Sequence, residues 1–125
     1  MIFFLFPFFF FEIIAMEVKV INDVYRLMSW YGNLLQNFPR NYRYGLGLRI
    51  ENTIYDILHL CNRANLSQSK VTLLEEANAN VQTLRFLVRL IRELKLISDL
   101  QHHAFIKQID EIGKQLGGWA KAQRG

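Results

Sequence analysis

The sequence predicts an all-α protein, an antiparallel up-down-up-down four-helix bundle. Three observations carry that prediction. After Met16 the apolar residues recur at intervals of three and four, the helical period, and show no strand-like alternation. The segments between the apolar stripes are short, which favours antiparallel neighbours. Hydrophobic residues make up 51% of the 125-residue chain and charged residues 21%, enough for one packed core in a domain of ordinary size.

The chain begins with an apolar run, Ile2 to Phe11, that contains Pro7 and is interrupted by Glu12. A membrane-spanning helix needs about 20 apolar residues, and proline disrupts a helix interior. A secretory signal opens with basic residues, whereas Met1 leads straight into Ile2. Met16-Glu17-Val18-Lys19 reads as an ordinary start. Residues 1–15 are therefore expected to be an over-extended start or a disordered apolar segment, and 16–125 the bundle domain. A membrane-associating or signal-like segment and an ordered extra element are the alternatives. Stable membrane insertion is not expected.

In the first bundle helix Val20, Val24, Leu27, Tyr31, Leu34 and Phe38 form the stripe, and Phe38-Pro39 ends it because a residue before proline avoids helical backbone. In the second, Leu46, Ile50, Ile54, Ile57, Cys61 and Ala64 share a face, and 65–69 supply a turn. The third runs from about Val71 to Ile97 without proline or glycine, with Leu74, Ala77, Val81, Leu84, Val88 and Ile91 as its core stripe. In the fourth, Phe105, Ile109, Ile112, Leu116 and Trp119 repeat at three and four. Ser98 and Asp99 are its start signal, and Gly117-Gly118 is expected to loosen or end it.

The third helix carries a second apolar set, Phe86, Leu87, Leu90 and Leu94, with Ile97 beyond. A helix apolar on two sides points to an oligomer interface as well as a core, the alternative being one broad core face. Between these faces stand Arg85, Arg89 and Arg92, at i, i+4 and i+7, with Lys95 three further on. Arginine suits phosphate because its planar fork donates paired hydrogen bonds. The arginines are either the wall of a nucleic-acid-binding groove or a solvated face paired with carboxylates of a neighbouring helix. Arg40, Arg43 and Arg49, interleaved with Tyr42 and Tyr44, form a second cluster suited to backbone contact and base stacking, or simply fill a helix corner.

The net charge of +4 and isoelectric point of about 9.4 permit a polyanion partner without requiring one. A lone cysteine, Cys61, excludes an intramolecular disulfide, which suits a reducing compartment, and it reads as core. No catalytic signature is present. His102 and His103 are adjacent, so on a helix they point about 100° apart, a poor metal pair. Gly45-Leu46-Gly47 is too short for a dinucleotide fingerprint. Neither metal nor cofactor is expected, and the chain reads as a non-enzyme.

Three segments carry a family resemblance: Phe38-Pro39-Arg40 followed by Arg43-Tyr44-Gly45-Leu46-Gly47, the run Leu84 to Arg92, and Gly113 with Leu116-Gly117-Gly118-Trp119. Together they resemble the accessory variability determinant (Avd) proteins of diversity-generating retroelements, over roughly residues 20–122. More loosely they resemble the four-helix-bundle proteins of ribosomal-RNA intervening sequences. Those proteins often carry an Asn-Ile-Ala-Glu-Gly motif where this chain reads Ile54 to Leu60, a departure that favours the retroelement branch. The resemblance implies a cytoplasmic, barrel-shaped homopentamer that binds template RNA or other nucleic acid and the retroelement reverse transcriptase, supporting mutagenic cDNA synthesis. It makes Arg85, Arg89 and Arg92 the leading positive surface, with Lys95, Arg40 and Arg43 as further contributors. The rival readings are a stand-alone RNA-associated bundle of an intervening sequence and a structural helical oligomer without a nucleic-acid role.

Overall fold

In a computed structural model, four long helices enclose one core: α1 (Ile2–Leu35), α3 (Leu48–Leu66), α4 (Lys70–Glu93) and α5 (Asp99–Arg124). A short α2 (Arg40–Tyr42) and a π-helical turn (Arg43–Gly47) lead directly into α3. Backbone is described from Ile2 and side chains from Lys19 to Gly125. The expectation for residues 1–15 falls on side chains outside that set. Among the described residues there is no strand, and no helix is long and apolar enough to cross a membrane. α3 packs on α4, α4 on α5, and α1 against both α3 and α5.

The periodic stripes are the core. Every stripe residue named above is buried except Leu46, which is half-buried and packs against the rest. Aromatic rings fill the space beside the π turn: Tyr31 meets Phe105 at 5.6 Å and Phe38 at 6.2 Å between ring centroids. The buried Tyr31 hydroxyl donates to the Gly47 carbonyl at 2.8 Å, so the one polar atom of that ring is satisfied. Burial, with Glu51 as a lesser cause, pushes the Tyr31 phenol above its usual range.

Gly47 is where backbone approaches backbone. A Cβ there would lie 2.4 Å from Leu35 Cδ1, 3.1 Å from the Tyr42 carbonyl oxygen and 3.3 Å from Phe38 Cδ2. Glycine lets the π turn close on the end of α1 without displacing Leu35 or crowding the Tyr42 carbonyl.

Among the helices after α1, two expected boundaries differ. Helix α4 stops at Glu93 rather than reaching Ile97. Lys95 takes the left-handed conformation, φ 60°, and the Leu96 amide reaches back to the Ile91 carbonyl at 2.9 Å while Lys95 donates to Arg92 at 2.9 Å. That pattern is a Schellman stop made without glycine. Ile97 then turns inward and is buried in the core instead of extending the second apolar face. Conversely, Gly117-Gly118 does not end α5, which runs on to Arg124. Tertiary burial of Leu116, Trp119 and Ala120 on either side of the glycines outweighs their weak helix propensity.

The start of α5 is as the sequence predicts. Ser98 is the N-cap: its Oγ accepts from the Gln101 amide at 3.0 Å, and Gln101 Oε1 accepts from the Ser98 amide at 2.9 Å.

Candidate functional site

The Schellman stop of α4 and the capping box of α5 meet at one corner, and an open recess of about 850 Å³ lies there. Arg85, Arg89, Arg92, Glu93 and Lys95 line it from α4 and its end; Ile97, Ser98, Asp99, His102 and Ile106 line it from the connection and α5. The spacing of the arginines places all three on this side, as the sequence predicts. Lys95 reaches the same recess by a different route. It is not a fourth rung of the helix but the left-handed residue just past its end.

Each arginine has a carboxylate partner. Arg85 bonds Asp110 across the α4–α5 groove. Arg89 Nε donates to Glu93 at 3.1 Å, and Arg92 Nε to Asp99 at 3.1 Å. Only Glu93 is close in sequence; Asp99 and Asp110 arrive with α5, a tertiary effect the sequence does not display. Gly113 leaves room for the Arg85 crossing, since a Cβ there would stand 3.2 Å from Arg85 Nη2 and push it aside by a few tenths of an ångström. These pairs are solvent-exposed to differing degrees, with the Arg89 side chain 70% and Arg92 49% exposed. Ion pairs in such a setting contribute about 0–1 kcal/mol, so a phosphate can take over the guanidinium forks at small cost.

Burial of the His102 ring first, then Arg92 beside it and also His103, hold that imidazole below its usual range, with Asp99 acting in opposition.

The second basic cluster does not stay together. Arg43 turns inward: its Nη2 donates to the Gln36 carbonyl at 2.9 Å and the Phe38 carbonyl at 3.3 Å, capping the loose end of α1. Arg40 and Arg49 are exposed, as is Tyr44, while Tyr42 packs against the core. Arg43 is thus occupied with backbone, while Arg40 and Arg49 remain exposed.

Of the second apolar face on α4, Phe86, Leu90 and Leu94 are exposed at 70%, 40% and 40%, whereas Leu87 packs partly into the core. Three exposed large apolar side chains at i, i+4 and i+8 form a continuous stripe beside the arginines.

Cys61 is fully buried, and burial pushes its thiol up to about 12, as expected for a core residue rather than a nucleophile. Among the described residues no group of three or more His, Cys, Asp or Glu could hold a metal ion.

Among the described residues, fold and recess together define a small all-helical protein with an arginine-lined corner beside an exposed apolar stripe. A protein-family model described as bAvd-like matches residues 17–123, and the chain belongs to that family. A comparison with curated proteins returned no match.

Proposed function

We propose that this chain is a non-enzymatic accessory protein of a diversity-generating retroelement, binding template RNA and the reverse transcriptase to support mutagenic cDNA synthesis. The observation that carries the reading is the family match across residues 17–123, nearly the whole described bundle. The arginine recess supports the nucleic-acid half of it. Arg85, Arg89 and Arg92 contact the backbone of the polyanion, Lys95 and Arg40 contribute from the margins, and Arg43 acts by holding its loop.

The assembly proposed is an up-down-up-down bundle that closes into a homopentameric ring in the cytoplasm. Cross-helix pairs support the antiparallel order. Along α4 and α5, Glu75 meets Arg124, Arg85 meets Asp110, and Arg92 meets Asp99, so the numbers rise on one helix as they fall on the other. The stripe of Phe86, Leu90 and Leu94 is the proposed contact between subunits, with Leu87 behind it. A cyclic assembly repeats the arginine recess once per subunit and multiplies its charge.

The test is co-purification of the protein with a retroelement reverse transcriptase and with the template RNA. Binding to RNA should weaken steeply as salt rises, and replacing Arg85, Arg89 and Arg92 together by alanine should flatten that slope while oligomer mass is unchanged. Failure to retain either the polymerase or the RNA, or an assembled triple variant with an unaltered slope, would refute the assignment.

A further inference from the structure

The recess at the α4–α5 corner has two unlike sides. Arg89, Arg92 and Lys95 bring guanidinium and ammonium groups to one of them, where Glu93 and Asp99 hold Arg89 and Arg92 in exposed pairs that a phosphate can replace. Ile97, Ile106 and the His102 ring make the other apolar and aromatic, with Ile97 buried and the remaining two half-buried.

We propose that this recess takes an unpaired nucleotide, phosphate on the arginine side and base against His102 and the two isoleucines, so that the chain prefers single-stranded to double-stranded nucleic acid. The inference rests on the nucleic-acid reading above and adds the class of strand. A duplex turns its bases inward and offers a convex wall of phosphates. It would touch the cations at the rim and leave the apolar floor empty. Unpaired bases, by contrast, are held by stacking on rings and by contact with apolar side chains, next to cations that track the backbone. The recess is open, with a volume of about 850 Å³, room for a nucleotide to lie against it without being enclosed. His102 supplies a ring face and a hydrogen-bonding edge beside Arg92 and the two isoleucines.

The experiment compares the intact protein with its His102→Ala and His102→Phe variants. Affinities for an oligouridylate and for an RNA duplex of equal length are measured by fluorescence anisotropy across a salt series. The wild-type protein should bind the single strand more tightly. His102→Ala should weaken single-strand binding about tenfold while leaving duplex binding and both salt slopes unchanged, because the lost contact is stacking rather than charge. His102→Phe should restore single-strand affinity. Equal wild-type affinity for the two probes overturns the inference, as does an alanine variant that binds the single strand like wild type. Failure of the wild-type protein to bind either probe overturns the nucleic-acid reading itself, and this one with it.

Discussion

Replacing Gly47 by alanine should destabilise the protein, although alanine is the better helix former. In a helix interior the exchange is worth about 1 kcal/mol in favour of alanine. Against that stands the geometry. The new methyl would sit 2.4 Å from Leu35 Cδ1, 3.1 Å from the Tyr42 carbonyl oxygen and 3.3 Å from Phe38 Cδ2. Leu35 can swing its terminal methyl aside. The Tyr42 carbonyl belongs to the backbone, and Phe38 is buried. Overpacking of this kind costs about 1–3 kcal/mol. Any shift of the turn also stretches the Tyr31–Gly47 hydrogen bond, worth about 1 kcal/mol. The expected net loss is about 1–2 kcal/mol. Gly117 provides the comparison, because a Cβ there meets nothing within 4 Å on the exposed face of α5. Gly117→Ala should gain about 1 kcal/mol. Urea unfolding followed by circular dichroism, at fixed protein concentration, should therefore place the two variants on opposite sides of wild type. Adding Leu35→Ala to Gly47→Ala should recover part of the loss in a double-mutant cycle. A Gly47→Ala protein as stable as Gly117→Ala would show that the close approach at the π turn is not real.

Lys95→Gly should raise the urea midpoint by the equivalent of about 0.5–1 kcal/mol, since a left-handed lysine is strained and glycine is not; an unchanged midpoint would argue against the Schellman stop. Glu93→Gln should leave stability within about 0.5 kcal/mol, because its pair with Arg89 is exposed and a carboxylate opposes the dipole at the end of α4. It should raise RNA affinity a few-fold, roughly one unit of charge at Coulomb distances in water, and loss of affinity in the binding assay would contradict the recess. Leu90→Glu should lower the mass seen by light scattering without loss of helical signal; a variant that simply unfolds would put Leu90 in the core instead. Cys61 should resist alkylation at pH 8 in the folded protein and react once denatured. Because its thiol titrates near 9 when unfolded and at about 12 when folded, its contribution to stability is fully present below pH 9 and is lost as pH rises toward 12. Rapid labelling of native protein at pH 8 would contradict that burial.

The stripes from Val20 to Phe38 and from Phe105 to Trp119 were legible because burial in a helix imposes a period of three to four, whatever the partner. Ser98 was legible for a similar reason: a serine cap acts locally, and Gln101 completes it within one turn. What the sequence hid is of two kinds. Lys95 adopts a conformation usually left to glycine, so the end of α4 carried no residue signal. The π turn over Arg43–Gly47 likewise arises from how Gly47 meets α1. The second kind is tertiary. Asp99 and Asp110 reach Arg92 and Arg85 from another helix, and Arg43 bends back onto Gln36 and Phe38. In sequence the arginines appear under-neutralised and Arg43 appears available. The recess was half legible: its arginines follow from spacing, whereas Ile97, His102 and Ile106 join them only once α4 stops short and α5 folds alongside.

The corner that joins α4 to α5 is secured by main-chain hydrogen bonds, Lys95 to Arg92 and Leu96 to Ile91, and by the side chains of Ser98 and Gln101, while the side-chain tie from Arg92 to Asp99 is exposed. Shape there rests largely on the backbone, and chemistry on the side chains of Arg89, Arg92 and His102. Side chains at 89, 92 and 102 can be exchanged while the bracket that presents them keeps its form. A lineage facing a new nucleic-acid partner could retune charge and ring content at this corner in single steps, without passing through an unfolded intermediate sequence. The same separation makes the corner a practical place to graft altered binding chemistry onto an otherwise unchanged bundle.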